Sequence, residues 1–270
     1  MRGAPRGEVS ARLVRFASRN ALLLTAVLFT VIALARIVAT AQSQGWTYDE
    51  KLHLAWSERF LEDGTSERWS NPGYDSKTPI SVPNVVFRQW APTDAPELDR
   101  FLARLPMAAW FLALVAGTFL LARKLGPREA GPLAVILLCL EPSIIAHSTV
   151  VTVDVPLAAC TVVAAFAFVE FCEHPSRLRG LLAGAALGAT LVAKFSAVLV
   201  AVPLLVAAVD AVIFKRKQVP IHRGVASLAL VALAALFVVG GVFGFQGMFM
   251  PLSEIPFASR PFISLTESLP

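Results

Sequence analysis

Long charge-free apolar stretches alternate with short basic connections along most of this chain. The first runs from Ala21 to Ala35 and continues past Arg36 to Ala41, after Arg2, Arg6, Arg12, Arg15 and Arg19. A second covers Leu105 to Ala122, and a third, Ala130 to Val153, is interrupted at Glu141-Pro142 and at His147. A fourth follows Asp154, from Val155 to Val169, and the last is Val225 to Phe245. A helix that crosses hydrocarbon needs about 20 mainly apolar residues, so each of these is read as a membrane pass. Leu178 to Phe214 is too long for one pass, because 37 residues of helix would extend ~55 Å against a core of ~30 Å. A turn at Lys194-Phe195-Ser196 divides it into two.

The reading is an all-α polytopic membrane protein of about seven transmembrane helices. It comprises a basic segment over residues 1–20, a first transmembrane helix over 21–41, an outer loop over 42–100, six further helices over 101–245 and an outer C-terminal segment over 246–270. Ala39-Thr40-Ala41 also fits a signal-peptide cleavage site, but the long apolar core and the spans that follow favour a retained anchor. Composition agrees: 56% of residues are hydrophobic, 16% are charged and mean hydropathy is +0.65. Those figures exclude a water-soluble globular domain.

Charge sets the direction. Of 24 basic residues, 14 fall in the short segments assigned to the inside, among them Arg123, Lys124, Arg128, Arg177, Arg179 and the Lys215-Arg216-Lys217 cluster. This is the distribution that the positive-inside rule expects, with the N-terminus cytoplasmic in a cell membrane, and the net charge of +5 needs no nucleic acid to explain it. The loop over 42–100 carries ten acidic and six basic residues. Within it, Leu52, Trp56 and Phe60 recur every four residues from Glu50 to Asp63, which predicts a helix lying in the membrane interface. Cys139, Cys160 and Cys172 all lie in apolar stretches without redox or zinc spacing, and read as packed thiols.

The residues able to do chemistry gather on the outer side. Asp49 and Glu50 stand just beyond the first span, where a carboxylate near low-dielectric surroundings can serve as a general base; helix capping is the plainer reading. Asp154, His147 and Lys194 are ionisable groups in or beside spans, and such groups tend to face cavities or partners. Ser148 adjoins His147. Lys77, Arg100 and Arg104 are cations on the same face, suited to a phosphate. His147 and the carboxylates are also metal-ligand types, which allows a divalent metal without requiring one. No Walker loop, dinucleotide turn or zinc-binding His pair occurs, so a soluble nucleotide donor has no cradle in the sequence.

Taken in order, Tyr48-Asp49-Glu50, Lys77-Thr78-Pro79, Arg104-Leu105-Pro106, the stretch from Glu141-Pro142 through His147-Ser148 to Asp154-Val155-Pro156, and Ala193-Lys194-Phe195-Ser196 resemble the N-terminal half of the GT-C membrane glycosyltransferases. The nearest branch is that of the protein O-mannosyltransferases, related to the aminoarabinose transferases. The resemblance implies transfer of a mannose-like hexose from a polyprenyl-phosphate carrier to a protein, lipid or glycan hydroxyl outside the membrane. It matches Asp49 to the catalytic carboxylate, Glu50 to its neighbour, Asp154 to a second acidic position, and Lys77 and Lys194 to cations near the carrier phosphate. Members of the family continue through further spans beyond a position like Pro270, so a fragment or reduced form is expected. Two other classes stay open. A transporter would line a substrate path with Asp154, His147 and Lys194, and a non-catalytic subunit would need a partner chain for activity.

Overall fold

The computed structural model describes residues 6–63, 79–92, 94–211, 221–245, 248, 251 and 264. Among these all regular structure is helical: α1 (Arg6–Ser43), α2 (Tyr48–Asp63), α3 (Val82–Arg88), α4 (Pro96–Leu125), α5 (Ala130–Leu140), α6 (Pro142–His147), α7 (Asp154–Glu173), α8 (Arg177–Ala193), α9 (Val198–Val209) and α10 (Ile221–Val242). Single 3-10 turns, Pro79–Ser81 and Phe195–Ala197, precede α3 and α9. Four stretches are long and apolar enough to cross a membrane: Asn20–Ser43, Pro96–Leu125, Asp154–Glu173 and Gly224–Val242. Helices α5 and α9 are shorter apolar helices. The protein is an all-α membrane protein.

Burial follows membrane logic. On α1 the buried positions are Ala26, Ala33, Ile37 and Ala41, while Leu23, Leu24, Val27, Leu28, Val31 and Ile32 are exposed. Small residues inside and large apolar residues outside suit a lipid solvent, where close helix packing replaces the hydrophobic effect as the source of association. The same device fixes α8 against α10. Gly180, Gly184 and Gly188 repeat every four residues, and a Cβ on Gly184 would collide with the Val231 carbonyl. A Cβ on Gly188 would lie 2.8 Å from the Ala235 carbonyl oxygen and 2.7 Å from Val238. Both sequences ascend together along this contact, so α8 and α10 run parallel.

Ion pairs mark the two ends of the bundle. Lys124, at the end of α4, holds Glu170 and Glu173 at 2.5 Å near the end of α7, so α4 and α7 also run parallel. Arg179, in the first turn of α8, approaches Glu170 at 3.6 Å. At the other end Lys194, just past α8, reaches Asp154 at the start of α7. Helix α8 therefore returns antiparallel along the full length of α7, although at 17 residues it is the shorter helix. The turn expected at Lys194-Phe195-Ser196 lies between Ala193 and Val198, where α9 begins.

The third apolar stretch is broken where Glu141-Pro142 interrupts it. Proline cannot donate the next helical hydrogen bond and disfavours a helical residue before it, and Glu141 is accordingly extended (φ −77°, ψ 112°). Its carboxylate accepts from the Ser143 N–H at 3.2 Å and restarts the chain as α6. Residues 148–153 then run without helix to α7.

Helix α2 forms where the sequence predicts it, and it turns a polar row toward the protein while part of its apolar row stays exposed. Leu52 is 41% exposed, whereas Glu50, His53, Leu54 and Ser57 are buried. Trp56 is buried and stacks on Phe60 with ring centroids 5.2 Å apart. The polar row faces the protein because a charged partner waits there.

Candidate functional site

That partner is Arg104, on the third turn of α4 and 1% exposed. A buried guanidinium requires acceptors for five N–H groups, and the chain leaving α1 supplies three as backbone carbonyls. Arg104 Nη1 donates to Ala41 O at 3.0 Å and to Gln44 O at 2.8 Å, and Nη2 donates to Gly45 O at 2.7 Å. The remaining two donors grip Glu50 as a fork, Nε to Oε1 at 2.7 Å and Nη2 to Oε2 at 2.8 Å. Trp46 lies over the guanidinium, 5.4 Å from ring centroid to Cζ.

Glu50 is equally saturated. Beyond Arg104, Oε2 accepts the Thr47 N–H at 2.8 Å and Oε1 accepts the Val151 N–H at 3.0 Å. Thr47-x-x-Glu50 has capping-box spacing, with the glutamate reaching back to the residue that opens the helix. Burial opposes ionisation of Glu50, but Arg104's hydrogen bonds, the two backbone N–H groups and the guanidinium charge outweigh it, and its pKa is lowered from the usual 4.5. The pair thus joins the exit of α1, the start of α2, α4 and the segment before α7.

This geometry separates two adjacent carboxylates expected to act together. Successive helical residues point about 100° apart, so turning Glu50 inward turns Asp49 outward. Asp49 is exposed and has no hydrogen-bond or ion-pair partner among the described residues. Glu50 has no lone pair facing water and Arg104 has no donor left over, so neither the catalytic reading of Glu50 nor the phosphate reading of Arg104 fits their surroundings. Their task is to hold the backbone that carries Asp49.

The second cluster at this end of the bundle is open. Asp154, in the first turn of α7, takes Lys194 Nζ on Oδ1 at 3.0 Å, and His147 Nδ1 stands 3.6 Å from Oδ2. All three side chains are nearly half exposed. The ends of α6 and α8 and the start of α7 bring them together. Ser148 belongs to the interior instead: its hydroxyl is buried and donates to Ile144 O at 2.7 Å, closing α6. Arg100, one turn before Arg104, is half-buried, and its Nε has no hydrogen-bond partner among the described residues. Lys77 lies outside the described residues. No group of three or more His, Cys, Asp or Glu able to hold a metal occurs among the described residues.

Three further features had escaped the sequence reading. Arg88 on α3 binds Glu58 of α2 and Asp99 of α4, each at 2.7 Å, and its guanidinium also stands 5.7 Å from the Trp46 ring. Asn84 donates to the buried Ala103 carbonyl at 2.7 Å. Together these fix the loop's helices onto α4. A cleft of about 610 Å³ opens at this end between the last turn of α1 and the first of α4, lined by Gln42, Asp94, Ala95, Pro96, Glu97, Leu98 and Phe101. Asp49, Asp154 and Lys194 are not part of its lining.

The profile of one family, dolichyl-phosphate-mannose-protein mannosyltransferase, matches residues 97–242, more than half of the chain. The chain belongs to that family. No curated protein and no solved structure matches it. The matched segment of this mannosyltransferase-family chain runs from α4 to α10 and contains Arg100, Arg104, His147, Ser148, Asp154 and Lys194. Asp49, Glu50 and Lys77 precede it. Membership assigns, in general terms, a membrane glycosyltransferase that uses a polyprenyl-phosphate-linked mannose donor and an acceptor.

Proposed function

We propose that this protein transfers a mannose-like hexose from a polyprenyl phosphate to an acceptor hydroxyl at the outer face of a cell membrane, with inversion and with Asp49 as general base. The arrangement has seven passes, counting the broken α5–α6 as one, with the N-terminus cytoplasmic. The observation that carries the reading is the contrast at positions 49 and 50: one carboxylate is locked in the interior while its neighbour is held rigidly beside it, exposed and uncommitted. A base must reach the proton that it takes, and a fixed backbone with a free carboxylate meets that requirement.

In the step itself the acceptor oxygen attacks the anomeric carbon as Asp49 takes its proton. The new carbon–oxygen bond forms while the bond from that carbon to the carrier phosphate breaks, and the polyprenyl phosphate leaves with the electron pair. Cations stabilise the departing charge. Lys194 suits that task because it gives one of its three donors to Asp154 and keeps the others, Arg100 because it has no ion pair among the described residues, and Lys77 joins them by resemblance. Asp154 orients Lys194, and His147 supports Asp154.

Asp49→Asn, prepared in membranes and assayed for sugar transfer from a polyprenyl-phosphate donor, tests the assignment. Loss of a positioned base lowers turnover about 10²- to 10⁴-fold, with unfolding temperature little changed because Asp49 has no hydrogen bond or ion pair to lose among the described residues. Turnover equal to that of the unaltered protein would remove Asp49 from the mechanism.

A further inference from the structure

The end of the bundle opposite Asp49 carries charge that is not balanced. Lys124 and Arg179 are matched to Glu170 and Glu173. Arg123, at the end of α4, and Arg128, before α5, have no carboxylate within ion-pair distance among the described residues. Both line a single cavity of about 100 Å³, with Asn20, Leu23, Phe119 and Glu129. Among the described residues, one carboxylate against two guanidinium groups leaves the cavity positive.

The packing around Arg123 maintains that opening. A Cβ on Gly131 would stand 2.5 Å from Arg123 Cγ and 3.0 Å from the Phe119 ring, so glycine at this point of α5 gives the arginine stem its path. The guanidinium then rests over Phe119, 5.5 Å from the ring centroid, an arrangement that fixes a cation without neutralising it. About 10–15 Å³ admits one water, so this volume has room for a phosphate group with its own hydrogen-bonded oxygens. From Leu23 an exposed apolar row continues along α1 through Val27 and Val31, and Leu133 and Leu137 are exposed on α5. A phosphate in the cavity would thus have hydrocarbon-facing surfaces leading away from it.

We propose that Arg123 and Arg128 bind the phosphate of an anionic phospholipid, its headgroup seated between α1, α4 and α5 and its acyl chains lying along those exposed faces. Cationic recesses between membrane helices favour such headgroups by direct phosphate contact. This site is separate from the sugar-transfer chemistry, since it lies at the end of α4 remote from Arg104.

The test uses the purified full chain in neutral detergent, titrated separately with phosphatidylglycerol, phosphatidylcholine and inorganic phosphate, with retained ligand read by native mass spectrometry. Phosphatidylglycerol should remain bound, phosphatidylcholine should dissociate, and inorganic phosphate should not displace the lipid. The double variant R123Q/R128Q should weaken phosphatidylglycerol retention about tenfold or more. Glu129→Gln removes the one carboxylate in the cavity and should strengthen retention, a gain that impaired folding cannot produce. Equal phosphatidylglycerol binding by R123Q/R128Q, or equal retention of phosphatidylcholine, would overturn the proposal. Displacement of the lipid by inorganic phosphate would assign the cavity to a free anion and overturn the lipid source.

Discussion

Glu50–Arg104 and Asp154–Lys194 are both carboxylate–cation pairs at the same end of the bundle, and they are built in opposite ways. In the first, every guanidinium donor and both carboxylate oxygens are consumed inside the protein, at essentially zero exposure. In the second, one ammonium meets one oxygen at 3.0 Å with both side chains more than 40% exposed. Saturation removes a charged group from chemistry, because any substrate contact would have to break bonds already made. Partial engagement leaves donors and lone pairs for a ligand. The two pairs resemble one another in a list of charged residues, and only burial and hydrogen-bond completeness tell the closed one, fixed in the architecture, from the one left open to solvent.

The strongest way to break that comparison is to remove half of the closed pair. Arg104→Ala leaves Glu50 buried without its counter-charge and strips three carbonyls of their donor. Breaking a buried pair by removing one partner costs about 3–5 kcal/mol, so thermal unfolding in detergent, followed by tryptophan fluorescence, should show a large loss for this variant. Replacing both partners by apolar residues, Glu50→Leu with Arg104→Met, should recover part of the loss, since no uncompensated charge then remains. A small effect of Arg104→Ala would show that the cluster is not the anchor that its hydrogen bonds describe.

Acid should act on the same anchor, with a smaller effect. The folded-state pKa of Glu50 lies below the usual 4.5, so its contribution is complete above that value and is lost as pH falls through the folded one. Unfolding temperature should therefore hold steady from neutral pH to the mid-fours and decline below. Glu50→Gln should begin less stable at neutral pH and show a weaker decline in acid. An equally steep acid limb in Glu50→Gln would assign the titration to other carboxylates.

Much of this arrangement is legible in the sequence because it depends on lengths and breaks. Charge-free runs mark the membrane helices, Glu141-Pro142 marks the break after α5, and Lys194 marks the end of α8. The inward or outward direction of neighbouring residues is less legible. Arg104 at the head of an apolar span looks like an arginine reaching for headgroups, and its acceptors are largely backbone carbonyls, which leave no trace in residue type. Thr47-x-x-Glu50 did hold the clue that the glutamate turns back. The protein-facing side of α2 is hard to read for a related reason: periodicity counts apolar residues, and beside Trp56 the buried positions there are Glu50, His53, Leu54 and Ser57. The glycine repeat of α8 shows how closely helices approach but not which neighbour they meet.

The open pair gives the smallest effect on stability and the sharpest test of the contrast. Exposed ion pairs contribute about 0–1 kcal/mol, so Lys194→Gln and Asp154→Asn should each leave the unfolding temperature nearly unchanged. If Lys194 contacts the carrier phosphate, Lys194→Gln should raise the KM for the polyprenyl donor and lower kcat, because phosphate charge grows as the sugar departs. Among the described residues Asp154 pairs with Lys194 and His147 alone, so Asp154→Asn should alter the same parameters less, and Lys194→Arg should restore part of what Lys194→Gln removes. A fall in stability as large as that of Arg104→Ala would place both pairs in the architecture and leave Arg100 as the described cation best suited to the phosphate.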